Sequence, residues 1–167
     1  MAGKIEVYES YKTHFEKLRL AYPGRKLLVV SNTAGATSWD KNLKLAAEVE
    51  ENTGITVLSH SVKKPGCGQE IMEYFKKHPE TGVTHPGHVA FVGDRLTTDM
   101  MLANMTGGWG FWVKDGVIPL EKKSIVSNCL PLNLKHGCVS KRWLTIPVFE
   151  IGTASGVIPT WPRFTCP

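Results

Sequence analysis

The sequence holds only four aspartates, Asp40, Asp94, Asp99 and Asp115, and no two of them stand one residue apart. There is therefore no Asp-x-Asp, and with it goes the obvious nucleophile for breaking a phosphate ester through an aspartyl intermediate. Cysteine is sparse too: Cys67, Cys129, Cys138 and Cys166 occur without any C-x-x-C spacing. The lack of that spacing argues against a zinc knuckle or a redox pair, and unpaired thiols in a reducing compartment are the expectation. No apolar run approaches the ~20 residues that a membrane span requires. The first residues have neither a signal-peptide apolar core nor an Arg/Ser-rich transit pattern, so no targeting segment is expected in this sequence. Repeats and low-complexity tracts are missing as well.

What is present fits one globular domain. The 167 residues are 42% hydrophobic and 21% charged, with a net charge of +5. The basic excess suits an anionic substrate, an acidic lipid surface or nucleic acid, and does not choose among them. Much of it is scattered, at Lys41, Lys44, Lys76, Lys77, Lys122, Lys123, Lys141 and Arg142, the pattern of a solvated surface.

Strands and helices alternate along the chain. Tyr8, Tyr11, Phe15 and Leu18 share one face of a helix predicted over residues 4–20, which Pro23-Gly24 ends. Short apolar runs at 27–30, 55–58, 88–92 and 110–113 read as buried strands. Helices are predicted over 38–53, capped by Thr37 or Ser38 and stopped at Gly54, over 65–78, and over 97–105, stopped at Gly107-Gly108. This alternation predicts an α/β fold with a parallel sheet and flanking helices. From about Leu134 the pattern dissolves into a segment with Pro147, Pro159, Pro162 and Pro167. The expected division is thus a domain over 1–134 and an irregular tail over 135–167.

Three polar clusters follow the apolar runs: Val30-Ser31-Asn32-Thr33-Ala34-Gly35, Lys63-Lys64-Pro65-Gly66 and Val92-Gly93-Asp94-Arg95-Leu96-Thr97-Thr98-Asp99. In open α/β sheets ligands bind beyond the carboxyl ends of the strands, where all three clusters fall. The Ser31 hydroxyl, Asn32 and nearby backbone N–H groups can hold a phosphoryl oxygen, although a turn rich in turn formers reads the same way. Lys64, with Lys63 as competitor, can neutralise a phosphate in the transition state; a solvated lysine pair is the plainer reading. Asp94 and Asp99 are hard oxygen donors suited to Mg²⁺. Asp99 can instead orient Lys64, or act as an acid at a helix N-terminus. His60, His78, His85 and His88 fit no ligand spacing and read as surface or loop histidines. Trp109, Phe111 and Trp112 read as core, with an exposed portion available to lipid.

Taken together, the three clusters resemble the second, third and fourth motifs of the haloacid dehalogenase (HAD) superfamily of phosphatases. Ser31 stands at the second-motif Ser/Thr, Lys64 at the third-motif lysine, and Gly93-Asp94 through Asp99 at the Gly-Asp-x4-Asp motif. The flanking words Val-Val-Ser-Asn-Thr-Ala-Gly, Val-Lys-Lys-Pro-Gly and Phe-Val-Gly-Asp-Arg-Leu-Thr-Thr-Asp look like the mitochondrial phosphatidylglycerophosphate phosphatases of fungi and plants. The resemblance spans roughly residues 4–134. It implies a Rossmann-like HAD fold and Mg²⁺-dependent hydrolysis of a phosphate monoester on a glycerolipid. The product would be phosphatidylglycerol, for cardiolipin synthesis. The implied location is the matrix side of the mitochondrial inner membrane, with a peripheral membrane contact and no nucleic-acid partner.

Under that resemblance Lys64 and Asp99 are catalytic, Ser31, Asn32 and Lys64 hold phosphate, and Asp94 and Asp99 hold the metal. The family's first motif, Asp-x-Asp on a central opening strand, has no counterpart, so the chain reads as an N-terminally shortened member. The strands ending at Ser31 and Asp94 must then pair directly or leave backbone groups unpaired. Each buried unpaired group costs ~1–3 kcal/mol against a total stability of ~5–15 kcal/mol, so a marginal fold is expected. Residues 148–151 are the one tail stretch able to substitute. The competing expectations are a non-catalytic phosphate-ligand-binding pseudoenzyme and a truncated product. A response-regulator-like receiver does not fit, because its strand-end phosphoacceptor and upstream acidic pair are missing.

Overall fold

The computed structural model describes residues 7–113 and 148–151. The helices are α1 (Lys12–Ala21), α2 (Lys44–Thr53), α3 (Gly68–Lys77) and α4 (Met101–Thr106). Between them run β1 (Ala90–Gly93), β2 (Trp109–Val113) and β3 (Val148–Ile151), which form a three-stranded sheet in the order β1-β2-β3, parallel throughout. Mixed α/β architecture with parallel pairing therefore matches the alternation in the sequence. The start of the predicted first helix at residues 4–6, the expected domain boundary at 134, and the cysteines at 129, 138 and 166 lie outside the described residues.

A second parallel ladder lies apart from this sheet. The Val29 N–H donates to the Thr56 carbonyl and the Leu58 N–H to the Val29 carbonyl, both at 2.9 Å, and a further bridge joins Ala36 to His60. Parallel pairing turns the groups of alternate residues to opposite edges. Val29 faces residue 57, so Leu28 and Val30 face the other way. In the main sheet the Trp109 N–H donates to the Val89 carbonyl, so Ala90 and Val92 face away from β2. Among the described residues none of these four has a backbone hydrogen-bond partner. The strands ending at Ser31 and Asp94 thus do not pair directly. Leu28, Val30 and Phe91 nevertheless pack on one apolar cluster, built from Leu58, Cys67, Ile71, Tyr74, Phe75, Val89 and Leu102.

Several elements differ from their predicted form. The stretch 148–151, expected as the one part of the tail able to form a strand, is β3. It adds to the outer edge of β2 rather than filling the interior. The second helix begins at Lys44 rather than near Ser38, because Ala36 first accepts from the N–H groups of both Trp39 and Asp40 and tightens the chain into turns. Neither Thr37 nor Ser38 caps it. Leu43 stands at the N-cap without a side-chain bond, and Asp40 supplies the capping oxygens from further upstream, accepting from the Leu45 and Ala46 N–H groups. Gly54 ends α2 with φ +67°, as the sequence predicts. The first helix is shorter than predicted: residues Glu9–Tyr11 form a 3₁₀ turn ahead of it, and none of the residues of α1 is fully buried. Trp109, Phe111 and Trp112 are half-buried rather than core.

Ile71 is fully buried on α3 at the centre of the cluster that joins the two ladders. Ile71→Ala is expected to cost about 2–5 kcal/mol, read from the shift of a urea unfolding curve.

Candidate functional site

Lys64 is fixed from two directions. Its backbone N–H donates to Asn32 Oδ1 at 2.7 Å and its carbonyl accepts from Asn32 Nδ2 at 3.3 Å. Its ammonium donates to Asp99 Oδ1 at 2.7 Å, with the two side chains 18% and 10% exposed. The Lys64-Pro65 peptide is cis. Lys63, the competing lysine, is exposed. Asp99 lies in a π-helical turn, Leu96–Met100, ahead of α4, and its Oδ2 accepts from the Arg95 N–H at 3.1 Å. Both carboxylate oxygens are therefore engaged inside the protein. Gly93 permits this placement: a Cβ there would come within 2.3 Å of Asp99 Cγ.

Ser31 ends the 27–30 segment. Its Oγ accepts from the Thr33 N–H at 3.2 Å and lies 2.9 Å from Thr33 Oγ1. Asn32, expected to hold phosphate, has its amide engaged at both ends by the Lys64 backbone, so its contacts here are those of a scaffold. Asp94 is half-buried directly after β1, and its carbonyl accepts from Trp112 Nε1 at 3.4 Å. Contacts thus link all five residues: Ser31 to Asn32 along the chain, Asn32 to Lys64, Lys64 to Asp99, and Asp99 to the Gly93-Asp94-Arg95 strand end. Among the described residues no three His, Cys, Asp or Glu side chains form a metal-holding group.

Three supporting residues escaped the sequence reading. His60 is 2% exposed, not a surface histidine. Its Nδ1 lies 2.7 Å from the Val62 carbonyl and its Nε2 2.9 Å from the Ser31 carbonyl. It ties the serine loop to the lysine loop, with a ring nitrogen facing a carbonyl of each. Glu70, in the first turn of α3, accepts from the Ser61 N–H and hydroxyl and from the Val62 N–H. Burial pushes its carboxyl up, but the Ser61 and Val62 donors and the His60 charge outweigh this and leave it below its ordinary value. Asp40 is buried and accepts from Gly35, Leu45 and Ala46. Burial raises its carboxyl, and the amide donors of Gly35, Ala46, Leu45 and Lys44 bring it below the ordinary carboxylate value. Gly35, at φ +79°, passes so close to the Leu58 carbonyl that a Cβ would meet it at 2.3 Å. The position of His60 right after an apolar strand was the available clue. Nothing local marks Glu70 or Asp40.

The sequence model of mitochondrial PGP phosphatases matches residues 1–118. The chain belongs to the mitochondrial PGP phosphatase family. Over 112 residues it is 48% identical to the Saccharomyces cerevisiae phosphatidylglycerophosphatase GEP4, covering 67% of this chain and 59% of that protein. A probable phosphatidylglycerophosphatase of Schizosaccharomyces pombe is 35% identical over 117 residues, covering 70% of this chain and 55% of that one. An Arabidopsis thaliana phosphatidylglycerophosphate phosphatase is 32% identical over 104 residues, with 62% and 28% covered. The chain thus spans less than two thirds of each of these PGP phosphatases.

Two predictions follow from the geometry. Lys64→Met leaves Asp99 in its low-exposure position without a cation and is expected to destabilise the fold by about 3 kcal/mol. The double variant with Asp99→Leu should recover part of that, as read by a double-mutant cycle in denaturant. Asp40 contributes stability that is present above its unfolded value near pH ~3.9 and lost as pH falls through its lower folded value. An acid titration of unfolding should therefore be shallower at its low end in Asp40→Asn.

Proposed function

We propose that this chain carries the phosphate-binding and Mg²⁺-binding part of a phosphatidylglycerophosphate phosphatase. The reaction would be hydrolysis of a phosphate monoester on a glycerolipid to give phosphatidylglycerol, feeding cardiolipin synthesis at the matrix face of the mitochondrial inner membrane. Family membership and the names of the relatives support the substrate and the compartment. The observation that carries the reading is the Lys64 ammonium, held 2.7 Å from Asp99 at the strand ends that also bear Ser31 and Asp94.

In this reading Ser31 Oγ donates to a phosphoryl oxygen and Lys64 neutralises charge that grows in the transition state. Asp99 and Asn32 keep Lys64 aimed, and His60 keeps the serine loop beside it. Asp94 offers the hard carboxylate oxygen for Mg²⁺, which takes one or two carboxylates with water and phosphate completing the shell; Asp99, held by Lys64 and Arg95, would act on it through a water. When bound, Mg²⁺ supplies a Lewis acid for the phosphoryl oxygens.

The nucleophile is the open part of the site. Asp40 is committed to three amides, and Asp99 to Lys64 and Arg95. The fold offers a place for another carboxylate. The edges at Leu28 and Val30, and at Ala90 and Val92, both carry backbone groups without a partner among the described residues. A strand pairing with both would complete a Rossmann-like HAD sheet, with its carboxyl end beside Ser31 and Asp94. A second reading, phosphate binding without turnover, is favoured by the lack of any Asp-x-Asp in these 167 residues.

The test is phosphate release from phosphatidylglycerophosphate, and calorimetric binding of inorganic phosphate with Mg²⁺, by this chain alone and with an added strand peptide bearing Asp-x-Asp. Phosphate binding that needs Mg²⁺ and weakens at least about tenfold in Asp94→Asn is expected, with turnover appearing once the peptide is present. Binding without turnover in both conditions selects the second reading. Binding indifferent to Mg²⁺ and to Asp94→Asn would reject the site altogether.

A further inference from the structure

Beside the site lies a surface that none of these roles uses. Trp39 is 66% exposed, Leu43 41% and Val62 49%. Lys41, Lys44 and Lys63 are exposed among them. Trp39 is not a loose side chain on a free loop. Its N–H and that of Asp40 donate to the Ala36 carbonyl, and the buried Asp40 carboxylate grips Gly35, Leu45 and Ala46. The turn that carries Trp39 is therefore clamped on both sides, and it offers its largest apolar side chain to solvent.

The loop bearing Val62 and Lys63 is its neighbour. The Thr37 N–H donates to the His60 carbonyl and the His60 N–H to the Gly35 carbonyl, while Glu70 fixes Ser61 and Val62. Both loops leave the strands at the end that holds Ser31 and Lys64. The one acid inside the 37–44 stretch, Asp40, is buried and turned inward. The outward face is thus apolar and mainly cationic; Glu70 is bound to the Ser61-Val62 backbone, and Glu48 stands one helical turn from Lys44.

We infer that Trp39, Leu43 and Val62, with Lys41, Lys44 and Lys63, form a docking rim that seats the site on an anionic phospholipid surface. Charge complementarity selects the occupant. Tryptophan favours the level of the headgroups, with its apolar body toward the acyl chains and its N–H toward water. Lysines beside it are drawn to anionic lipid. A rim of this kind brings a phosphate on a lipid headgroup to Ser31 and Lys64 without extracting the lipid. The inference rests on the proposed lipid substrate for its purpose, but its binding arm is independent of turnover.

The test is flotation of the 167-residue chain with vesicles of phosphatidylcholine alone and of phosphatidylcholine containing phosphatidylserine. Phosphatidylserine has no phosphate monoester, so the site itself does not recruit it. Binding is expected only with the anionic vesicles, falling with added salt. Trp39→Ser, and separately Lys41→Gln with Lys44→Gln, should each weaken it roughly tenfold or more, while leaving circular dichroism and Mg²⁺-dependent binding of inorganic phosphate unchanged. Lys64→Met should do the reverse, losing phosphate and keeping vesicles, so a failed site and a failed rim give different results. Equal binding to both vesicle types, or binding untouched by the rim variants, overturns the inference. So does a concentration-dependent dimer abolished by Trp39→Ser, which would make this face a contact between copies.

Discussion

The ion pair between Lys64 and Asp99 is the contact on which the arrangement of the site depends. It is made by residues from two different ladders. Lys64 belongs to the loop beyond residues 55–58, and Asp99 to the π-helical turn beyond β1. Among the described residues no backbone hydrogen bond joins those ladders. Their relative position is set by side chains: the apolar cluster around Ile71 beneath, and this pair at the rim. An ion pair with little exposure is a poor source of net stability, since desolvation offsets the attraction. It is a good source of position, because an unpartnered charge in the same place is costly.

Around that pair the supporting bonds form a closed set. Asn32 holds the backbone of Lys64 at both the N–H and the carbonyl. His60 holds the carbonyls of Ser31 and Val62, and Glu70 holds the amides of Ser61 and Val62. Each group acts on the backbone of a loop, and Glu70 takes the Ser61 hydroxyl as well. The loop conformations are therefore written by polar side chains reaching across the strand ends. Backbone carbonyls and amides held in this way neither drift nor offer alternative hydrogen bonds, and Ser31 and Lys64 inherit their fixed spacing from them.

Much of this was legible in the sequence, for identifiable reasons. The apolar runs at 27–30 and 55–58, each followed by small or polar residues, marked strand ends, and the glycines at 54 and 107 marked helix stops. The strand-end placement of Ser31, Lys64, Asp94 and Asp99 was recognisable because a polar cluster after an apolar run is a local pattern. Asp40, His60 and Glu70 were not, since their partners lie several residues away or on other elements. The start of α2 was misplaced for the same reason: a capping carboxylate five residues upstream of Leu45 and six upstream of Ala46 has no standard spacing to read. The edge position of β3 was equally hidden, because four apolar and acidic residues cannot state which strand they will join.

The groups at Leu28, Val30, Ala90 and Val92, which have no backbone partner among the described residues, have a consequence for the behaviour of the chain in bulk. Exposed strand edges are templates, and proteins usually blunt them with charge, proline or a bulge. Here the outer edge of β2 is covered by β3, while among the described residues nothing pairs with the inward-facing edges and Val92 is largely exposed. What makes room for a completing strand also makes room for the wrong one. Solubility and strand occupancy are thus coupled in this protein: whatever fills that edge serves as its protection against aggregation.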